Sequence, residues 1–159
     1  MASIHPHFLY FTGMVDLTTL VLHINFITEL DFLTKMTKLE HLYLHTNQIE
    51  GKHLKSLNNL IQLKTLDLNN NKVIDISSLN KLVKLTHLRL KNNEIVDING
   101  LRSLIHLKKL HLSNNYIKNI SSLHSLLHLT SLDLRNNPLL QESAVTELKN
   151  HLVHCNIEH

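Results

Sequence analysis

Residues 85–95 read LTHLRLKNNEI. Leucines alternate with polar residues across LRLK, the mark of a strand buried on one face. Leu88 and Leu90 should therefore point inward, and His87, Arg89 and Lys91 outward. Asn93 follows where the chain must turn, and Ile95 opens a second apolar series, Ile95, Ile98, Leu101 and Leu104, spaced by three. The pattern LxxLxLxxN occurs six times, led by Leu17, Leu39, Leu63, Leu85, Leu107 and Leu129, at steps of 22, 24, 22, 22 and 22 residues. A fixed period of this length predicts a stacked solenoid, not a globule around one central core. No copy can bury its leucines alone, so each must be covered by its neighbours.

The asparagine column Asn25, Asn47, Asn71, Asn93, Asn115 and Asn137 has a structural reading. A sharp turn after the strand leaves backbone groups without partners, and an inward-pointing amide can both donate and accept. The apolar triplets behind it fit three-per-turn helix, so the return path reads as short turns and 3₁₀ segments. The second repeat is two residues longer, within residues 50–53 (EGKH). Gly51 marks the expected bulge, with a longer turn or short helix over residues 52–59.

These residues, from Leu17 to Leu139, resemble the leucine-rich repeat family. The 22-residue period resembles the subclass of the nuclear regulatory subunit of type-one protein phosphatase and of bacterial internalins. The expected fold class is an α/β repeat solenoid, with a curved parallel β-sheet on the concave face and 3₁₀ or short helical turns on the convex face. Many unrelated activities use this fold, so function must come from its surface.

The length fits a single domain over residues 1–159. Its divisions read as an N-terminal cap or degenerate repeat at 1–16, six repeats at 17–138, and a capping helix with a tail at 139–159. The first segment is apolar (Phe8, Leu9, Tyr10, Phe11, Met14, Val15). Residues 141–153 read as an amphipathic helix with Ala144, Val145, Leu148 and Leu152 on one face, and Glu142 suits the dipole of its first turn. Cys155 and Ile157 are expected to tuck beneath it.

Composition excludes several classes. The single cysteine, Cys155, has no partner in the chain for a disulfide, and the start lacks the charged and apolar regions of a secretory signal. The expected setting is intracellular and reducing, in the cytoplasm, or the host cytosol for an effector exported without such a signal. No segment approaches a membrane span. The net charge of +3 comes without the extended basic stripe and stacking aromatics of a nucleic-acid binder. No phosphate loop, nucleophile elbow or zinc motif is present, and no cofactor is expected. The chain does not read as an enzyme.

The outward strand positions form three rows. The first is Thr19, His41, Thr65, His87, Lys109 and Ser131; the second Val21, Tyr43, Asp67, Arg89, His111 and Asp133; the third His23, His45, Asn69, Lys91, Ser113 and Arg135. They mix apolar, aromatic, acidic and basic side chains, as a surface for specific protein recognition does. The candidate protein-binding residues are His41, Tyr43, His45, Asp67, His87, Arg89, Lys91, His111, Asp133 and Arg135. Five of the fourteen histidines fall in these rows, so binding is expected to change between pH 7.5 and 5.5. The reading is a monomeric module holding a protein partner on its concave face, in the form of a bacterial effector inside a host cell. Alternatives are an intracellular scaffold or phosphatase-regulator-like subunit, and a non-catalytic fragment of a larger repeat enzyme such as a ubiquitin ligase. Only 20 residues follow Leu139, too few for a catalytic domain of that type.

Overall fold

The computed structural model describes residues 13–159. Each repeat contributes one three-residue strand: β1 (Thr19–Val21), β2 (His41–Tyr43), β3 (Thr65–Asp67), β4 (His87–Arg89), β5 (Lys109–His111) and β6 (Ser131–Asp133). All pair in parallel and in sequence order. The register sets equivalent repeat positions side by side: Leu20, Leu42, Leu66, Leu88, Leu110 and Leu132 form one continuous row. A seventh strand, β7 (Asn156–Glu158), extends the sheet beyond β6.

The core is the stack of leucine and isoleucine rows between this sheet and the return path. Leu88, Leu90, Ile95, Ile98, Leu101 and Leu104 are all fully buried, as the alternation and triplet spacing predict. The return path is made of 3₁₀ turns at Asp31–Leu33, Gly51–Leu57, Ser77–Lys81, Asn99–Leu101 and Ser121–Ser125. The longest belongs to the 24-residue second repeat. Gly51 opens that turn without a positive φ, so left-handed backbone is not what requires the glycine. Its reason is close approach: a Cβ there would strike the backbone O of Asp75 and lie 2.8 Å from its N.

The asparagines do what the turn requires. Asn71 Nδ2 donates to Leu68 O of its own turn at 3.0 Å and to Leu44 O of the preceding one at 3.1 Å. Its Oδ1 accepts the Ile49 N–H at 3.0 Å. Asn47, Asn93, Asn115 and Asn137 repeat this set. Asn25 is exposed, and among the described residues its side-chain amide bonds only within its own turn. The residue just before each column member has left-handed backbone, φ 54–58°. Asparagine tolerates that region better than other side-chain-bearing residues, which explains Asn70, Asn92, Asn114 and Asn136. Ile24 and Thr46 occupy the same position at a steric cost.

At the far end, α1 (Glu142–His151) lays Val145 and Leu148 on the last repeat. Leu152 and Ile157 close the core behind it. Ile157 is the inward residue of β7, beside Leu132, in the same buried cluster as Val145 and Leu148 of the helix. Burial pushes the Cys155 thiol up from its ordinary value. At the other end Met14 and Val15 are partly exposed, while Phe8, Leu9, Tyr10 and Phe11 lie outside the described residues.

Candidate functional site

Strand register fixes the geometry of the outer sheet face. Thr19, His41, Thr65, His87 and Lys109 are direct cross-strand partners, as are Val21, Tyr43, Asp67, Arg89, His111 and Asp133. The third row continues past the strand ends through hydrogen bonds such as Thr46 N–H to Asn69 O and Asn70 N–H to Lys91 O, both 2.8 Å. The expected rows are therefore rows in space, with neighbours one strand spacing apart, about 4.8 Å.

Their side chains divide into two kinds. His41, Tyr43, His45, His87, Arg89 and His111 are half-buried, and Lys91 and Arg135 are exposed. These eight side chains keep some contact with solvent. Asp67 and Asp133 are buried, together with Thr65 and Ser113, so part of this face has a structural duty. Asp67 Oδ1 accepts the Asn69 N–H at 3.0 Å, and Asp133 Oδ1 the Arg135 N–H at 3.2 Å. Each carboxylate thus closes the chain as it leaves its strand. Asp133 is also held by the Arg135 guanidinium through two bonds of 2.9 Å. Burial pushes its carboxyl up, but the bonds and charge of Arg135 outweigh this and carry it down to about 2. Arg135 reaches onward to Glu158 at 3.0 Å. Glu158 extends the second row by one strand, a member missed because Ile157 alone marks the short strand in the sequence.

The centre of the face is cationic. Arg89 Nη1 lies 3.6 Å from Asp67 Oδ2, so part of its charge is met from within. Burial, and then Lys109 and Arg89 beside it, hold His87 below the ordinary imidazole range. Burial and Arg89 do the same to His111, against the opposing pull of Asp133 and Asp67. His23 and His45 stack with ring centroids 4.4 Å apart and planes 6° from parallel. A stack with parallel planes does not converge its ring nitrogens on one point. Among the described residues no group of three or more His, Cys, Asp or Glu side chains is placed to hold a metal ion.

A sheet of short in-register parallel strands, leucine rows beneath it and an asparagine ladder at the turn define a repeat-built solenoid. The chain belongs to the leucine-rich repeat family: the family model for paired leucine-rich repeats matches residues 15–61, 61–103 and 105–150. It is similar to the internalin InlF of Listeria monocytogenes, with 32% identity, a TM-score of 0.84, and coverage of 92% of this chain and 42% of that one. Internalin C2 of the same organism is 37% identical with a TM-score of 0.75, over 77% of this chain and 54% of that one. The ectodomain of the Arabidopsis thaliana receptor kinase GASSHO1/SCHENGEN3, solved in complex with CASPARIAN STRIP INTEGRITY FACTOR 2, is 27% identical with a TM-score of 0.69, over 83% of this chain and 17% of that one. The chain thus spans about half or less of the length of these proteins. Among curated proteins none matches it. The fold is a general protein–protein interaction module, typically without catalysis of its own. No helix among the described residues is long and apolar enough to cross a membrane.

Proposed function

We propose that this chain recognises a protein partner on the outer face of its sheet, with Tyr43, Arg89 and His111 as the anchors of the contact. The observation that carries this reading is their placement. All three stand in one cross-strand row, half-buried, flanked by His41, His87 and Lys91. Tyrosine and arginine are the residue types that most often dominate binding energy, above all when their stems are already packed. Asp67, Asp133 and Arg135 contribute by setting the backbone and the charge pattern around the anchors.

The likeness to two Listeria internalins favours the form of a bacterial effector whose partner is a host protein, over a phosphatase-regulator-like subunit. The lone Cys155 suits a reducing compartment such as the host cytosol. The test is affinity capture from host-cell lysate, with the Tyr43→Ala/Arg89→Ala/His111→Ala variant beside the parent chain. The parent should retain a specific protein that the folded triple variant loses. If the folded variant keeps every captured protein, the concave-face reading fails. Repeating the capture at pH 7.5 and 5.5 tests the histidines: equal recovery at both would remove them from the proposal.

A further inference from the structure

The loops that lead into the strands carry a second pattern, on a flank separate from the face above. Two residues before the leading leucine of four consecutive repeats stand Ile61, Val83, Ile105 and Leu127. All four remain exposed, at 49%, 45%, 47% and 67%. A single exposed aliphatic residue is ordinary, but four at one position of adjoining repeats form a continuous apolar ridge. Each step along it is one strand spacing, about 4.8 Å. Beside it runs a groove of about 470 Å³, lined by Lys64, Lys84, Thr86, His106, Lys108 and His128. Lys64 pairs with Glu40 at 2.7 Å, and Lys84 Nζ donates to Gln62 Oε1 at 2.6 Å. Among the described residues no carboxylate lies within ion-pair distance of Lys84 or Lys108.

We propose that this flank docks an acidic amphipathic α-helix of a partner protein, laid along the stacking direction of the repeats. A helix offers one apolar residue per turn, about 5.4 Å apart, against a ridge step of about 4.8 Å. Over the three steps from Ile61 to Leu127 the mismatch is about 2 Å, which side-chain rotation absorbs. Carboxylates beside the apolar stripe of such a helix would meet Lys84 and Lys108. A second copy of this chain is a poor occupant, because its own flank is equally basic. An anionic lipid surface has no such register to match, and the ridge lacks the aromatic anchors of interfacial proteins.

The probe is a fluorescent synthetic peptide of about fifteen residues, with leucine once per turn and glutamate on either side of the leucine stripe. Its anisotropy should report saturable binding to the parent chain. Val83→Ser/Ile105→Ser and Lys84→Glu/Lys108→Glu, all at exposed positions and checked for folding by circular dichroism, should each weaken it by at least about tenfold. The charge-reversed variant should regain binding to a peptide carrying lysine in place of glutamate, while Tyr43→Ala should leave binding unchanged. The proposal is overturned by an absence of saturable binding, or by double variants that bind like the parent. It is equally overturned if phosphatidylserine vesicles capture the chain through the same four side chains while the peptide does not.

Discussion

Asn93 holds two repeats together with one amide. Its Oδ1 takes the Val73 N–H at 3.0 Å, and its Nδ2 serves Leu68 O and Leu90 O, both at 3.0 Å. Removing that amide leaves buried backbone groups unpaired, so Asn93→Ala should cost roughly 1–3 kcal/mol in a urea titration. Asn25→Ala is the internal control. Its amide is exposed and, among the described residues, bonds only Leu22 O and His23 O, so its cost should stay within about 0.5 kcal/mol. Equal losses at the two positions would refute the ladder as the source of the stability. The ladder was legible in the sequence because the requirement is local: a tight turn beneath a strand always strands backbone groups, and a repeated inward amide answers it. Asp67 was not legible. Its side chain sits in an outward register position, and only the curl of the chain back over it turns the carboxylate into a turn closure.

At the scale of an element, the 3₁₀ turn Gly51–Leu57 shows how the extra length of the second repeat is absorbed. It packs against the next repeat so closely that Gly51 has no room for a methyl group beside the Asp75 backbone. Gly51→Ala should therefore lower the thermal midpoint, at a cost of roughly 1–3 kcal/mol. A midpoint equal to or above the parent's would mean that the turn shifts freely and that the close approach is incidental. The position of the two-residue insertion was readable from the broken period. The reason for the glycine was not, because the clash is with a residue 24 positions further on. The same holds for β7. A three-residue strand with one apolar residue is below what alternation can signal, and its pairing exists only because α1 returns the chain to the edge of β6.

At the scale of the molecule, stability should fall as the solution is acidified, in two stages. His87 and His111 are held below the ordinary imidazole range, by burial first and then by neighbouring cations. The folded chain therefore resists a proton that the unfolded chain accepts. Stability is full above about pH 6.5 and declines as pH falls through that value toward the lower folded ones. Asp133 acts further down. Its carboxylate contribution is complete above about pH 3.9 and is lost as pH falls toward about 2. With Arg135 largely exposed, that part is worth roughly 1–2 kcal/mol. Urea midpoints at pH 7.5, 5.5 and 3 should decrease in that order, and Asp133→Asn should flatten the lowest interval. A midpoint that rises on acidification would contradict both assignments. The linear code of the chain determined the solenoid, its strand rows and its asparagine ladder, because each follows from what one repeat must bury against an identical neighbour. The tertiary structure alone decided which outward residues stay free, where the sheet ends, and that aliphatic and basic residues from separate repeats line up on one flank. The last two depend on contacts between residues 22 or more positions apart, and the first on how the chain curls back over each strand end; periodicity places such residues in rows without showing what each one touches.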